Sequence, residues 1–331
     1  MRTKSKLNTI LILSIVILSF SVISFSAYCW EPTKQLELLA SGSPGGGNDL
    51  TMRAIEQVLL KENPVPGLSW IVTNQGGGGG NIAMSYLLQQ KGNPYIFCVN
   101  SNRVNLNPIL GTTELRAGND FTPLCRLQVE HMVWAVNSDG PYTDINVLLD
   151  KIKKDPGSIT FGVGTVPSDD LFNILYVAQE LGVDPNEINY ISFKSGGDLI
   201  TNLAGGHIDV ASTSMGEALS MWEAGKVDLV SIGAPERIPA PYDKIPTWTE
   251  LGINVVLTHW RGLFLAPGLT DEQVHYWSDL MAEVCSSKAW EEQLVKYEWY
   301  DAFLPHDEFA AFLEEDYQKS KDMIDRAGML K

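Results

Sequence analysis

Short apolar runs rich in β-branched residues alternate with longer amphipathic segments along most of the chain. The runs with the length and composition of strands are residues 36–40, 70–73, 95–99, 132–136, 158–162, 188–193, 208–212, 229–232 and 263–266. Helical spacing of apolar positions predicts helices at residues 50–60, 81–90, 145–155, 168–181, 198–204 and 215–224. This alternation is typical of α/β proteins in which mostly parallel sheets carry helices on both faces.

End signals predict two further helices near the C-terminus. Thr270 and Gln273 have the spacing of a capping box, in which each side chain bonds the backbone of the other residue. Apolar positions continue that helix to Val284. A second helical period covers residues 309–327 and is followed by Gly328. We expect the apolar positions of both helices to lie in the core.

The N-terminal residues read as a targeting segment and the rest as a globular protein. The chain has 331 residues, of which 44% are hydrophobic and 19% charged, enough for two domains with their own cores. Basic residues precede an apolar run at residues 10–23, and Ser24 and Ser26 then supply small residues for cleavage. This pattern predicts a signal peptide at residues 1–26 and export of the mature chain. The alternatives are an uncleaved membrane anchor and lipid attachment at Cys29.

The net charge argues against nucleic acid as a partner. The formal charge is −16, and loss of the predicted signal peptide removes three positive charges and no negative ones, which leaves −19. Such a protein repels phosphate backbones and anionic surfaces. A small anion can still bind inside it, because backbone dipoles act at short range whereas distant charges are screened.

Cysteine and histidine spacing predicts neither a metal site nor a cofactor. The four cysteines, Cys29, Cys98, Cys125 and Cys285, form no CxxC pair, although export permits disulfides and three pairings are possible. Cys98 lies in an apolar strand and is expected to be a buried small hydrophobe. The five histidines lack paired metal-ligand spacing and are expected on the surface or in packing: His131, His207, His259, His275 and His306.

The most informative feature is a set of small, donor-rich turns at the ends of predicted strands. Residues 43–49, Ser-Pro-Gly-Gly-Gly-Asn-Asp, follow the first strand and precede a helix. The first amides of a helix have no internal partner and its dipole attracts negative charge, so this order favours an anion. One such turn is equally compatible with a tight connection. Comparable turns at residues 75–81, 162–168, 194–198 and 212–216 together predict an anion cleft at the carboxyl ends of the strands.

Motifs for other chemistries do not fit the chain. There is no Gly-Lys-Ser/Thr after the glycines, no fitting GxGxxG, no GxSxG and no HExxH. Asp49, Asp198 and Asp209 stand near the turns, but spacing gives none of them a catalytic partner. The residues therefore favour binding over catalysis.

At these turns the chain resembles the extracytoplasmic substrate-binding proteins of tripartite tricarboxylate transporters. The resemblance covers nearly all of the mature chain and depends on the shared order of motifs that are weak one by one. Those motifs are Trp30, Pro32 and Lys34, then residues 43–49, 74–82, 120–123, 156–168, 193–197, 203–209, 246–247, 250–252 and 260–262.

The resemblance implies an α/β, two-lobed periplasmic-binding-protein fold of type 2. Each lobe is expected to be a mostly parallel sheet flanked by helices, with the ligand cleft between the lobes. The expected lobes are residues 27–127 plus 236–331 and residues 128–235. The implied function is capture of a small organic carboxylate, with di- or tricarboxylates favoured, and its delivery to membrane subunits of such a transporter. The protein would be a monomer and not an enzyme.

The turns and the neighbouring strand ends supply the expected binding residues. They are Ser43, Gly45, Gly46, Gly47, Asn48, Asp49, Gly79, Asn100, Ser101, Gly164, Thr165, Ser168, Lys194, Ser195, Gly196, Ser212 and Ser214. Arg103 and Arg261 are candidates for pairing with a second carboxylate of the ligand, because a guanidinium binds a carboxylate through two parallel hydrogen bonds.

Two departures from the family pattern concern the ligand. Asp169 and Asp170 stand where the family often has a histidine, and Phe193 replaces its usual aromatic residue at a turn in which Ser195 precedes the glycines. Both lie beside the expected cleft, so the resemblance does not fix the ligand. Two alternative functions stay open: an exported enzyme acting on a carboxylate or ester, and a carboxylate sensor for a membrane kinase.

Overall fold

The computed structural model describes residues 30–326. The predicted signal peptide at residues 1–26 and the lipid-attachment alternative at Cys29 lie outside the described residues. Within residues 30–326, no helix combines the length and the apolar character that crossing a membrane requires.

The described part of the chain alternates strands and helices, as the sequence pattern predicts. The strands are β1 (Leu36–Ala40), β2 (Trp70–Asn74), β3 (Ile96–Ser101), β4 (Thr122–Asn137), β5 (Thr160–Val163), β6 (Asn189–Ser192), β7 (Val210–Ser214), β8 (Val227–Ile232), β9 (Thr258–Leu265) and β10 (Tyr300–Leu304). The α-helices are α1 (Gly47–Glu62), α2 (Asn81–Gln89), α3 (Arg103–Ile109), α4 (Ala117–Asp120), α5 (Ile145–Lys154), α6 (Asp169–Glu180), α7 (Gly196–Ala204), α8 (Met215–Glu223), α9 (Asp271–Ser286), α10 (Lys288–Tyr297) and α11 (His306–Arg326).

The strands form two half-sheets that share the long strand β4. The first half-sheet contains β1, β2, β3, β9, β10 and residues 122–131 of β4. The second contains residues 132–137 of β4 with β5, β6, β7 and β8. Backbone pairing through β4 joins them into one curled sheet with the order β2-β1-β3-β9-β4-β7-β5-β6, and β8 and β10 also pair with β4.

The half-sheets are mixed rather than mostly parallel, which corrects one detail of the expectation. β1 pairs in parallel with β2 and β3, and β5 pairs in parallel with β6 and β7. β4 and β9 run antiparallel to their neighbours. A strand needs a crossover connection, usually a helix, before it can lie parallel to the preceding strand of a sheet. β4 passes from one half-sheet into the other without interruption, so no such crossover precedes its second part.

The predicted strands and helices are present with small shifts at their ends. The run predicted at residues 132–136 is only the last third of β4, and the run predicted at residues 158–162 becomes β5 after a short 3₁₀ helix, Pro156–Ser158. The sequence pattern does not predict α3, α4, α10 or β10.

Aromatic side chains fill the core on both half-sheets. On the second, Trp134 contacts the rings of Phe161 and Trp248 edge to face, with centroids 5.1 and 4.7 Å away. On the first, helix α11 places Phe309 against Trp260. The core position expected for the C-terminal helix is confirmed by Phe309, Leu313 and Ile324, which are buried.

The cysteines of the described residues are free thiols. Cys98 is fully buried, as expected, and so is Cys125, while Cys285 is partly exposed. Burial raises the pKa of the Cys98 and Cys125 thiols well above the ordinary value.

Candidate functional site

A cleft of about 600 Å3 opens at the carboxyl ends of six strands. Loops after β1, β2 and β3 contribute one wall, loops after β5, β6 and β7 contribute the opposite wall, and β9 supplies His259 and Arg261. This is the edge at which open α/β sheets bind ligands. The position of the cleft therefore agrees with the turns singled out in the sequence.

The structure brings twelve of the seventeen expected binding residues to the cleft wall. These are Ser43, Gly46, Gly47, Asn48, Gly79, Gly164, Thr165, Ser168, Lys194, Ser195, Gly196 and Ser214. The other five do not line it: Gly45, Asp49, Asn100, Ser101 and Ser212. Their side chains or amides bond to neighbouring protein groups instead. The structure gives the position of these residues at the cleft wall, and the binding role of each remains a prediction.

Asp49 shows how a residue behind the wall shapes the first loop. Its carboxylate is buried and accepts hydrogen bonds from Gly45 N at 2.9 Å, Arg53 Nε at 2.9 Å and Asn74 Nδ2 at 3.0 Å. Burial acts to raise the pKa of Asp49, but these donors outweigh it and hold the pKa below the ordinary value. The charge of Asp49 thus fixes the loop from behind the cleft wall.

Asn100, Ser101 and Ser212 lie just behind the lining residues. Asn100 Oδ1 accepts from Ser101 N at 2.9 Å, and Ser101 Oγ accepts from Arg103 Nε at 3.4 Å. Ser212 Oγ accepts from Asn173 Nδ2 at 3.3 Å. These three residues hold the lining residues in place from the strand ends.

Gly47, the first residue of α1, is enclosed on two sides. Its N–H donates to Glu217 Oε1 at 2.6 Å, and Thr213 Oγ1 donates to Glu217 Oε2 at 2.6 Å. A Cβ atom at Gly47 would overlap the Arg261 guanidinium. Glu217 lies in α8, the helix that follows β7 of the second half-sheet. Its carboxylate therefore joins the two walls at the N-terminus of α1, where the helix dipole favours negative charge.

Arg261 is buried and held by two partners. It pairs with the buried Glu130, and its Nε donates to Asn48 Oδ1 at 3.2 Å. Burial, followed by the nearby charge of Arg103, lowers the pKa of Arg261 to about 9. At neutral pH the group is cationic, with its charge largely matched by Glu130.

A second wall of the cleft begins at helix α6. Ser168 caps this helix, because its hydroxyl accepts from Leu171 N at 3.4 Å while donating to Thr165 O at 2.7 Å. Asp170 Oδ2 accepts from Gly164 N at 2.8 Å. Desolvation, followed by repulsion from Glu217, raises the pKa of Asp170 to about 7.

Polar contacts cross the cleft near β3 as well. Arg103 Nη1 donates to Thr165 Oγ1 at 2.8 Å, and Asn102 donates to the carboxylate of Asp169. His259 Nδ1 lies 2.7 Å from the other oxygen of Asp169, so that buried carboxylate is matched by two donors when the imidazole is protonated at this nitrogen. Loops from the two half-sheets are therefore in direct contact on both sides of the cleft.

The glycine run after β2 adopts a backbone that other residues rarely tolerate. Residues 77 to 80 all have positive φ, between 59° and 118°. The turn packs tightly: Asn107 Nδ2 donates to Gly79 O at 3.0 Å, and a Cβ atom at Gly80 would come within 3.0 Å of Asn100 Nδ2. The glycines are needed for this compact turn, which brings backbone groups to the cleft.

Several buried polar atoms near the cleft have no hydrogen-bond partner among the described residues. They include Ser214 Oγ, whose residue lines the cleft and is 3% exposed, and Asn100 Nδ2, whose residue is fully buried. Buried polar groups are normally bonded. Ser214 precedes α8 but its hydroxyl makes no capping bond.

Sequence reasoning singled out some of the charged lining residues and missed others. Arg103 and Arg261 were candidates and line the cleft, but Glu217 was not considered and Asp170 only as a departure from the family pattern. The sequence signal for Asp170 and Glu217 is that each is an acidic residue in the first turn of a helix that follows a donor-rich turn. His259 was expected on the surface or in packing, and it is buried but also lines the cleft.

A family comparison fits this geometry. Residues 57–329 match the model of the tripartite tricarboxylate transporter family receptor. The chain belongs to this family. The resemblance inferred from the turns is therefore confirmed over most of the chain.

Solved structures share the fold. The periplasmic binding protein BugD superimposes with a TM-score of 0.82 at 17% identity, covering 91% of this chain and all of that one. MatC from Rhodopseudomonas palustris, with bound malate, gives 0.79 at 19% identity and covers 89% of this chain and all of MatC. A further R. palustris protein with adipate gives 0.81 at 21% identity over 90% and 98% of the two chains. The receptor has the two-lobed periplasmic-binding-protein fold.

Metal coordination finds no support in the described residues. Within residues 30–326, no three histidine, cysteine, aspartate or glutamate side chains are grouped so that they could hold a metal ion.

Proposed function

We propose that the receptor captures a small organic carboxylate in this cleft, with di- or tricarboxylates favoured. The observation that carries the proposal is the convergence of glycine and hydroxyl loops from six strand ends on one cleft beside Arg103 and Lys194. Backbone amides and hydroxyls bind a carboxylate without burying an opposite charge, and bridging waters cost little. Malate and adipate are the compounds bound to the two R. palustris relatives.

The proposed delivery is to the membrane subunits of a tripartite tricarboxylate transporter. The family description supports this partner class, and the predicted signal peptide would bring the monomeric receptor to the extracytoplasmic side. We assign residues 27–127 plus 236–331 to one lobe and residues 128–235 to the other. A ligand that contacts both walls favours the closed arrangement of the lobes, and that arrangement is the form to be recognised by the transporter. The role is binding and release rather than catalysis.

A thermal-shift series on the mature protein tests the proposal. Co-purified ligand is first removed by unfolding and refolding, and the protein is then titrated with mono-, di- and tricarboxylates, malate and adipate included. A ligand that binds only the native state raises stability by mass action, by about 2.7 kcal/mol at a concentration of 100 times Kd. We expect a concentration-dependent rise in Tm with one carboxylate class and a stoichiometry of one ligand per chain by calorimetry.

The matched pair of variants is Arg103→Gln and Arg237→Gln. Arg103 lines the cleft, whereas Arg237 forms an exposed ion pair with Glu250 elsewhere and contributes little to stability. We expect Arg103→Gln to weaken binding and Arg237→Gln to leave it unchanged. Absence of a shift with every carboxylate would overturn the proposed function.

A further inference from the structure

The charged side chains of the cleft are not all neutralised by each other. Arg261 pairs with Glu130, and the Asp169 carboxylate lies within hydrogen-bond distance of His259 Nδ1. Four charged lining residues make no ion pair within the described residues: Arg103, Lys194, Asp170 and Glu217. Asp170 and Glu217 thus place two carboxyl groups without a cationic partner in the wall of a cleft proposed to bind carboxylates.

Asp170 and Glu217, here called the acidic pair, belong to one patch of the wall. Asp170 Oδ2 is bonded to Gly164 N, and a Cβ atom at Gly164 would lie 3.1 Å from Gly196 N. The carboxylate of Glu217 lies against Gly196, where a Cβ atom would overlap it. Both carboxyl groups therefore lie beside the contact between Gly164 and Gly196, and each disfavours the ionised form of the other.

An anionic ligand group is poorly placed beside the acidic pair. The amide of Gly47, which would otherwise be a donor for a ligand carboxylate, already donates to Glu217. A carboxylate in this part of the cleft would be repelled by the acidic pair, whereas a cation between the two carboxyl groups would relieve their mutual repulsion. The two cationic lining residues without an ion-pair partner, Arg103 and Lys194, are the ones suited to a carboxylate.

The hydroxyl of Ser214 is an independent indication of a ligand at this patch. It is buried, lines the cleft and has no partner among the described residues. Ser214 lies one turn before Glu217 at the start of α8. The Ser214 hydroxyl can therefore accept a hydrogen bond from an N–H group of a ligand that also bonds the acidic pair.

We propose that the ligand of this cleft carries an ammonium group in addition to its carboxylate, and that Asp170, Glu217 and Ser214 bind the nitrogen while Arg103 and Lys194 bind the carboxylate. This inference rests on the proposed function and narrows it from carboxylates in general to amino-carboxylates. The acidic pair then acts as the specificity determinant, because it attracts the ammonium group and repels a second carboxylate at the same position.

Isothermal titration with paired ligands tests the inference. The pairs differ only in one amino group: succinate and aspartate, glutarate and glutamate, phenylpropanoate and phenylalanine. The ligand-stripped wild-type protein is expected to bind the amino member of at least one pair about tenfold tighter or more. Glu217→Gln and Asp170→Asn are expected to reduce that preference about fivefold or more, since each removes one partner of the ammonium group. Glu223→Gln, an exposed position on the same helix, is the control that should not change it.

The outcomes separate this inference from the proposed function. If the wild-type protein binds the amine-free members as tightly as their partners, the inference is overturned while carboxylate capture stands. An amino preference that survives both substitutions also overturns the assigned role of the acidic pair. If no member of any pair binds, and the wider carboxylate series gives no thermal shift, the proposed function fails together with the inference. The wild-type comparison decides the ligand class even if a variant folds poorly.

Discussion

Gly47 is the residue of the cleft at which size is most tightly limited. Its Cα faces the Arg261 guanidinium, which is fixed by Glu130 and Asn48, and its N–H faces Glu217. Neither neighbour can move aside without giving up a buried contact. The glycine is thus required by close approach rather than by its φ angle, since Gly47 is not among the glycines with positive φ.

We expect Gly47→Ala to destabilise the protein by about 1–3 kcal/mol, the usual cost of adding atoms to a well-packed site. Urea unfolding measures the effect, and carboxylate affinity should fall with it because α1 shifts away from the cleft. Gly118→Ala is the matched control, since a Cβ atom there meets nothing within 4 Å and the helical residue is exposed. Equal stabilities of Gly47→Ala and the wild type would contradict the packing argument.

Asp170 should make stability depend on pH in the ligand-free protein. Its pKa is raised to about 7 by desolvation and then by Glu217, whereas an unfolded aspartate titrates near pH 4. Between these values the folded state binds a proton that the unfolded state has released, so this group reduces stability as pH rises from about 4 to 7. Its favourable contribution is present at low pH and is lost as pH passes through the folded pKa.

Asp170→Asn removes that dependence. We expect the variant to gain about 3 kcal/mol relative to the wild type between pH 4.5 and pH 7.5, measured by urea unfolding at both pH values. Asp150→Asn, at an exposed position of α5, provides the control for a carboxylate change away from the cleft. A gap between wild type and Asp170→Asn that is the same at both pH values would show that Asp170 is not desolvated.

Residues with a steric or capping role could be predicted from the sequence, and residues whose role depends on the opposite wall could not. The glycines within residues 43–49 and 75–81 indicate close approach of the backbone from the local sequence alone. Glu217, by contrast, resembles any acidic residue in the first turn of a helix. Its carboxylate has a role in the cleft because it accepts a hydrogen bond from Gly47 N, 170 positions away. A single sequence does not show which distant residues come into contact.

At the scale of elements, two helices begin with a hydroxyl cap of the same geometry, one at the cleft and one away from it. Ser195 caps α7 by accepting from Asp198 N at 3.3 Å, and Thr270 caps α9 by accepting from Gln273 N at 3.3 Å within the predicted capping box. The two caps are alike in geometry, but only Ser195 lines the cleft. Substitutions at these two positions therefore separate the effect of losing a helix cap from the effect of losing a ligand contact.

We expect Ser195→Ala and Thr270→Ala each to cost about 1 kcal/mol of stability, because each leaves a helix amide without its acceptor. Only Ser195→Ala should also weaken carboxylate binding, by about fivefold or more, the loss of roughly one hydrogen bond. Chemical unfolding and calorimetry measure the two effects. If Thr270→Ala weakened binding as much, the change would reflect general loosening of the fold rather than the cleft.

Elements with clear end signals could be predicted, whereas elements fixed by tertiary pairing could not. α9 has its capping box, and α6 has Ser168 at the predicted N-cap. β4 was recognised only at residues 132–136, because its earlier part mixes polar and apolar residues that pair with β9 and β10. β10 itself has no alternation of its own and exists through that pairing.

For the whole molecule, the predicted α/β class follows from the alternation of elements, but the mixed pairing does not. A crossover helix between strands favours parallel neighbours, which is why the sequence pattern predicts mostly parallel sheets. The course of β4 through both half-sheets depends on pairing with strands far away in the sequence. Because β4 connects the two half-sheets, the walls of the cleft can move relative to each other only about this connection. A covalent link between loops on opposite walls tests that movement.

The closest designed link is between Gly46 and Ser195. A Cβ atom built at Gly46 lies 3.5 Å from Ser195 Cβ, at the short end of the separations that disulfides accept, which are about 3.5–4.5 Å. Gly46 has φ of −83°, so a cysteine is tolerated there. Cys98 and Cys125 are buried and their thiols are hard to ionise, and a Cys29→Ser background removes the N-terminal thiol.

We expect Gly46→Cys combined with Ser195→Cys to oxidise readily and to hold the cleft closed. Oxidation of the ligand-free protein should slow carboxylate association about tenfold or more, and oxidation with ligand present should slow its release to a similar extent, because both steps require the walls to separate. Stopped-flow binding before and after reduction of the same variant measures this, so any cost of losing Gly46 and Ser195 cancels. Each single cysteine variant should show no dependence on reductant. Unchanged association and release rates in the oxidised double variant would mean that carboxylates enter and leave without separation of the two loops, and the proposed closure of the lobes around the ligand would have to be abandoned.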